Sequence, residues 1–467
     1  MRNSSRCGRW HGFIVVLLPS VLCGAGNSFA QSVEDRRSWD TSSASRSDDP
    51  RGTPLPPAPE KPDTPLVLAG GRVLLGDALK PQVRHVVIRG NRIAAVEAPA
   101  GQSWPTGARV IDVSGKTVMA GLIDLHVHLT FPFTTDASTA IPGSGESEAT
   151  LRGAANLRHL ALAGITSVRD MGGIGAAPLV LKRWVRASRL PGPRIFAAGQ
   201  IIAARGGHTA EGYDSRSPRF GGIRIASGAD GWREAVREQF DRGADLIKLT
   251  SHFSPDEVAA AVGEAHRLGI RVSVHADPYF VRSAVDARAD TIEHAFPRTQ
   301  ETIDRMAASG IAAVPTLAAF EFIERTRGGI FGASSARFVF SPAVAEETVR
   351  QMQRAGVRIG AGTDALGDMF VDIQELYVRE LELLMAAGLS RQEVLRVATR
   401  GNAELLGMGD RLGAIESGRL ADVLVCDGDP LQDLRALTRL QLVVADGRIL
   451  VSQGRLEQPD SRWAERP

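Results

Sequence analysis

The sequence predicts an α/β fold, a (β/α)8 TIM barrel with a small composite β-sandwich domain built from both termini. Three observations lead there. Short apolar strands alternate with amphipathic helical stretches between residues 119 and 410. β-like runs lie on both flanks of that region and have no counterpart inside it. Residue types that ligate metals fall at the ends of the expected strands, where a parallel barrel builds its active site. With 467 residues, 43% of them hydrophobic, the chain is long enough for one large and one smaller domain.

The elements follow in order. Arg2, Arg6 and Arg9, an apolar stretch from Phe13 to Leu22 and Ser28-Phe29-Ala30 before Gln31 have the pattern of a signal peptide over residues 1–30, cleaved after Ala30. The expected location is periplasmic or secreted. That apolar run is too short to span a bilayer, so no permanent membrane anchor is expected. Cys23 would suit lipid attachment, but the bulky Leu22 before it disfavours that reading. Loss of three arginines with the signal would move the formal net charge from +2 to −1, and no Lys/Arg block points to nucleic acid. Cys426 would remain the lone cysteine, unable to form an internal disulfide.

Residues 31–63 are Ser-, Asp-, Arg- and then Pro-rich, the composition of a flexible leader. Residues 64–118 read as the N-terminal part of the β-domain, with Val83 to Ile88 and Ile93 to Val96 flanking a Gly90-Asn91 turn. Residues 411–455 read as its C-terminal part, with an Asp446-Gly447 hairpin turn, and residues 456–467 as a tail. Between them, residues 119–410 supply the barrel strands: Leu122 to Leu129, Thr166 to Met171, Arg194 to Gly199, Leu246 to Thr250, Arg271 to Ala276, Thr291 to Ala295, Ala312 to Leu317 and Arg358 to Asp364. Ser254 with Glu257, and Ser390 with Glu393, have capping-box spacing at helix starts.

His126 and His128 lie two apart in the first strand, so both rings lean to one face, about 7 Å apart. Lys248, His275, His294 and Asp364 lie at or near the ends of strands four, five, six and eight. Singly, each has an ordinary reading: a semi-buried histidine, a turn-capping aspartate in Gly360-Ala-Gly-Thr-Asp364, a lysine paired with a carboxylate such as Glu293. Jointly, on the ends of separate strands, they read as a ligand set. An ammonium has no lone pair for a metal and is costly to bury beside cations. Reaction of Lys248 with CO₂ would give a carbamate whose two oxygens bridge two divalent ions. One ion would take His126, His128 and Asp364, and the other His275 and His294. Nitrogen and oxygen donors suit zinc best, with manganese or cobalt as substitutes.

These residues, in DLHVHL, the strand-four lysine, VHA, IEHA and GTDA, together with Ala398-Thr-Arg-Gly-Asn-Ala403 and Gly418-Arg-Leu-Ala-Asp-Val-Leu-Val425, resemble the amidohydrolase superfamily over roughly residues 66 to 452. More narrowly they resemble its imidazolonepropionase-like branch, which includes Xaa-Pro dipeptidases and ochratoxin-type amidases. The resemblance implies the barrel, the composite β-domain and a binuclear site on the residues named. Related one-metal enzymes lack the carboxylated lysine, so Lys248 argues for two metals.

The expected reaction is amide hydrolysis of a dipeptide or N-acyl amino acid by a metal-bridging hydroxide. Asp364 would accept the proton and pass it to the leaving amine. His208, in Gly206-Gly-His-Thr209, would stabilise the oxyanion, and Tyr279 and His252, just past strand ends, would touch substrate. Two alternatives stand beside this reading: a mononuclear cyclic-amide hydrolase or deaminase, and a catalytically silent binding protein on the same barrel. Loops Phe131 to Ser147, Ala203 to Gly222 and Glu321 to Phe340 are expected to shape the pocket, with Arg205, Arg325 and Arg327 available to a substrate carboxylate. The expected partner is a small-molecule amide or peptide, and the sequence leaves a homo-oligomer open.

Overall fold

The computed structural model describes residues 64–98, 104–132, 145–209, 221–325 and 341–457. The expected signal peptide, the whole of the expected leader, most of the expected tail, Arg327 and parts of the three pocket loops lie outside the described residues. Among the described residues no helix is long and apolar enough to cross a membrane.

The N-terminal region folds into β1 (Leu66–Leu75), β2 (Lys80–Arg89), β3 (Arg92–Glu97), β4 (Arg109–Asp112) and β5 (Thr117–Ala120). The middle supplies β6 (Leu122–His128), β7 (Ile165–Asp170), β8 (Arg194–Ala197), β9 (Ile201–Ala204), β10 (Ile223–Ala226), β11 (Leu246–Thr250), β12 (Arg271–His275), β13 (Thr291–Glu293), β14 (Ala312–Val314) and β15 (Ala365–Leu366). The C-terminal region supplies β16 (Val423–Cys426), β17 (Leu440–Ala445), β18 (Arg448–Ser452) and β19 (Arg455–Leu456). Helices alternate with the middle strands. Those that matter below are α1 (Pro255–Arg267), α2 (Gln300–Ala308), α3 (Leu317–Arg325) and α4 (Ile373–Ala386). Both expected capping boxes are present, with the Ser254 and Ser390 side chains accepting from the amides of Glu257 and Glu393.

The two chain ends build one nine-stranded sheet, in which β16 pairs antiparallel with β5 and β4 and β5 both pair parallel with β1. The strands of both chain ends thus share one hydrogen-bonded ladder. Its core is separate from that of the β/α region and draws on both ends: Leu68, Val86, Ile88 and Val118 pack with Val423, Val425, Leu442 and Val444. The two hairpin turns also meet. A Cβ on Gly447, at φ +75°, would lie 1.9 Å from the Gly90 carbonyl, so only glycine fits there.

The middle strands run parallel but differ from the single closed ladder expected. They form a six-stranded sheet, β10-β9-β11-β12-β13-β14, and a four-stranded sheet, β15-β6-β7-β8. The expected eighth strand is the reason for one seam. Only Ile359 bridges to Ala313, while the segment bonds outward on both sides: Ala313 N–H to Arg358 O and Gly360 N–H to Ala313 O on one, Leu125 N–H to Ala361 O and Asp364 N–H to His126 O on the other. Gly360 and Gly362 leave it without the side chains that keep a strand regular. A Cβ on Gly362 would sit 2.8 Å from Val314 Cγ1 and 2.9 Å from the His126 nitrogen. At the other seam, Asp245 N–H donates to Ala197 O and Asp245 Oδ2 accepts from the Ala197 amide. β9 and β10, on either side of the second pocket-forming stretch, were not expected from the sequence.

Candidate metal centre

All seven residues of β6 are buried, and its period of two sends His126 and His128 to one face. Asp364 reaches that face from the irregular segment. Its amide donates to His126 O at 2.7 Å, and its left-handed backbone, φ +56°, turns the carboxylate back over the strand. Asp364 Oδ1 then lies 3.3 Å from His126 Nε2 and 3.4 Å from His128 Nε2. The ligand atoms of these three residues fall within 4.8 Å of one another.

The other sequence-predicted ligands converge on the same place. His294, also left-handed at φ +64°, has its ring centroid 5.0 Å from that of His126 and 4.5 Å from that of His275. The His208 ring stacks on His275 at 4.0 Å. Lys248 is fully enclosed in β11, and its Nζ is buried with no hydrogen-bond partner. His252 stands at the edge, 35% exposed, its Nε2 3.8 Å from Asp277 Oδ2. Tyr279 is not brought in: at 90% exposure it projects from the turn after β12.

The partners that fix these rings were not read from the sequence. His126 Nδ1 bonds Glu293 Oε2 at 2.8 Å, His128 Nδ1 bonds Gly172 O at 2.9 Å, His294 Nδ1 bonds Thr316 Oγ1 at 2.7 Å and His275 Nε2 bonds Asp277 Oδ1 at 3.1 Å. Each ring thus has one nitrogen tied to the protein and the other left for the centre, the arrangement that prepares imidazoles for a metal. His126 Nε2 shows it directly: despite its proximity to Asp364 it lacks hydrogen-bond geometry and is orphaned in the core. Glu293 is held in turn by Arg169, whose Nη2 lies 2.9 and 3.0 Å from its oxygens, and by the Ser273 and Thr291 hydroxyls at 2.7 Å.

Electrostatics agree with the donor set. Burial, reinforced by the nearby Lys248 charge, holds His126, His275 and His294 well below the usual imidazole range, so the rings are neutral and able to donate lone pairs. Burial also pulls Lys248 down to about 8, against the opposing carboxylates of Glu293 and Asp364. A neutral amine is the form that reacts with CO₂. Asp124, beneath the site, is pushed up to about 7 by burial while accepting from the Thr363 hydroxyl and the His126 amide. An orphaned imidazole nitrogen, an orphaned amine and a carboxylate among neutral rings fit divalent cations.

The amidohydrolase family model matches residues 117–450. The chain belongs to the amidohydrolase family. Amidohydrolase membership implies a TIM barrel with a β-rich domain, to which the parallel β/α region and the nine-stranded sheet correspond. Ochratoxinase of Aspergillus niger is 26% identical over 309 residues, 58% of this chain and 62% of the relative, so the match spans a little under two thirds of that protein. Imidazolonepropionase of Sphingopyxis alaskensis is 26% identical over 380 residues, 72% of this chain and 84% of the relative. Among solved structures, a prolidase complexed with N-methylphosphonate-L-proline is 32% identical with a TM-score of 0.75, covering 84% of this chain and 100% of its own.

Proposed function

We propose that this amidohydrolase is a binuclear, carbamate-bridged enzyme that cleaves the amide bond of a dipeptide or N-acyl amino acid outside the cytoplasm. The observation that carries the proposal is the Lys248 amine, buried and unpartnered among the neutral imidazoles of His126, His275 and His294 and the Asp364 carboxylate. His126, His128 and Asp364 would hold one ion, His275 and His294 the other, and the Lys248 carbamate both, with zinc favoured by the donor types. When bound, the metals would activate a water and polarise the scissile carbonyl.

The chain's own groups supply the rest. Asp364 Oδ2, on the side away from the His126 and His128 contacts, takes up the water's proton and returns it to the leaving amine. His208, its Nδ1 buried and unpartnered beside His275, would donate to the developing oxyanion, a role that its orphaned nitrogen supports. Arg298, four residues past His294, donates to the Phe296 and His294 carbonyls and to Met306 Sδ, with no carboxylate among those partners, and burial lowers its pKa to about 10. A cation so placed favours a substrate bearing a free carboxylate, and the prolidase neighbour's proline-derived ligand supports a dipeptide.

The His126–His128–Asp364 triad alone would suffice for one metal, which favours a mononuclear cyclic-amide hydrolase as the second reading. Elemental analysis separates the two: two equivalents per chain for the first, one for the second. Lys248→Ala is expected to bring metal content close to zero and abolish hydrolysis of Xaa-Pro dipeptides. Full metal and full activity in that variant would refute the bridging role.

A further inference from the structure

One helix of the outer layer reaches the metal centre through the backbone. Glu380 on α4 is fully enclosed, and its Oε2 accepts from the Ala318 amide at 2.7 Å. The same carboxyl bonds the Leu317 amide, so it serves the first two residues of α3. Those donors have no acceptor within their own helix. Leu317 and Ala318 are themselves buried, so water does not reach them and the carboxyl is the acceptor they depend on.

Thr316 stands immediately before that helix, enclosed and left-handed at φ +50°. A threonine keeps such a backbone only where its surroundings impose it. On the N-terminal side the hold comes from β13: the His294 amide donates to Val314 O at 2.8 Å and the Ala295 amide to Pro315 O at 3.1 Å. On the C-terminal side the Ala319 amide donates to Thr316 O at 3.1 Å, and Glu380 secures the two amides between. A threonine before a helix ordinarily caps it with its own hydroxyl. Here Thr316 Oγ1 lies 2.7 Å from His294 Nδ1 instead, and the capping task falls to a carboxyl from another helix, whose Oε1 is left buried without a partner. Accepting from Nδ1–H, the hydroxyl keeps the proton on that nitrogen and the lone pair on Nε2.

We propose, on the reading that His294 ligates the second ion, that Glu380 is its positioning residue: by holding the start of α3 it releases the Thr316 hydroxyl to set the tautomer and aim of the ring. Metal titration with elemental analysis compares Glu380→Leu, Thr316→Val and Glu380→Gln with wild type. The first two are each expected to weaken the ion assigned to His275 and His294 by about 10- to 100-fold, with the His126–His128–Asp364 set unaffected. Glu380→Gln, which keeps an acceptor oxygen, is expected to bind both ions as wild type does. A residue that only stabilises the fold would lower the urea midpoint of Glu380→Leu and leave both affinities unchanged, and that result would overturn the proposal. A second readout needs no metal: nitrogen NMR of the metal-free full chain with isotope-labelled histidines, the His294 signal being assigned among the ten by its loss in His294→Gln. Wild type and Glu380→Gln are expected to hold His294 as the Nδ1–H tautomer, and Glu380→Leu to mix the two tautomers. An unchanged tautomer in Glu380→Leu would overturn the proposal. One equivalent of metal in wild type would count against the binuclear reading alone, and the tautomer comparison would still decide the role of Glu380. If Glu380→Leu folds poorly, Thr316→Val gives the same readout: mixed tautomers support the path through Thr316 and an unchanged one refutes it.

Discussion

Which nitrogen of each imidazole faces the centre is decided by a residue elsewhere in the fold. Asp277 makes this choice for His275, as Glu293 does for His126. In Asp277→Asn the shape is kept, but the amide can donate to Nε2 and drive the ring proton onto Nδ1, the nitrogen the centre needs. On the binuclear proposal, the expected outcome is a selective weakening by about 10- to 100-fold of the ion assigned to His275 and His294, with the His126–His128–Asp364 set unaffected. Metal titration followed by elemental analysis would show it, and two metals retained at wild-type affinity would remove Asp277 from this role. That these candidate ligands would converge was legible in the sequence because each lies at or near a strand end and strand parity points it to one face. Their partners were not legible. Glu293 stands opposite His275 only through the β12–β13 register, and Thr316 reaches His294 only after the chain turns at two left-handed positions.

Elements were legible where the apolar pattern was regular and lost where glycine interrupts it. The β6, β11, β12 and β13 segments start where the sequence placed them, each buried nearly throughout. The eighth strand failed as a ladder because Gly360 and Gly362 admit the close approach of neighbours, and Asp364 must leave extended backbone to face the histidines. The next layer outward also depends on an unexpected residue. Glu380 on α4 accepts from the Ala318 amide at the start of α3 at 2.7 Å, while its other oxygen is buried without a partner. Burial pushes its pKa up from 4.5 to about 8. Because the folded-state value is the higher one, the protonated acid's contribution is complete below about pH 4.5 and is lost as pH rises toward 8. At pH 7 the linkage amounts to about 3 kcal/mol. Glu380→Gln keeps the acceptor and removes the titration, so it should be more stable than wild type at pH 7, with a flatter profile between pH 4.5 and 8. Urea unfolding of the zinc-loaded protein across that range measures both, and parallel curves would show that Glu380 does not titrate in the fold.

At the scale of the whole molecule, two cores must stay in register, since β5 of the nine-stranded sheet leads through Gly121 directly into the ligand strand β6. A buried ion pair crosses the junction. Arg194 on β8 donates to Asp422 Oδ2 at 2.5 Å and contacts Asp446 Oδ1 at 3.3 Å, while Asp422 Oδ1 accepts from the Asp446 amide. Both Arg194 and Asp422 are almost fully enclosed, so the desolvation of two charges offsets much of their attraction. Removing one partner is the damaging change, because the remaining charge has no water to return to. Arg194→Met should therefore cost about 3–5 kcal/mol, whereas Arg194→Met with Asp422→Leu should recover much of that loss, since it buries no charge. A double-mutant cycle by chemical denaturation, with metal content followed in parallel, separates the two roles of the pair. If the double variant regains stability but binds metal less tightly than wild type, the pair serves to align β6 and its histidines rather than to hold the cores together. If stability and metal binding return together, apolar packing alone sets the junction, and the argument that Arg194 aligns the centre is wrong.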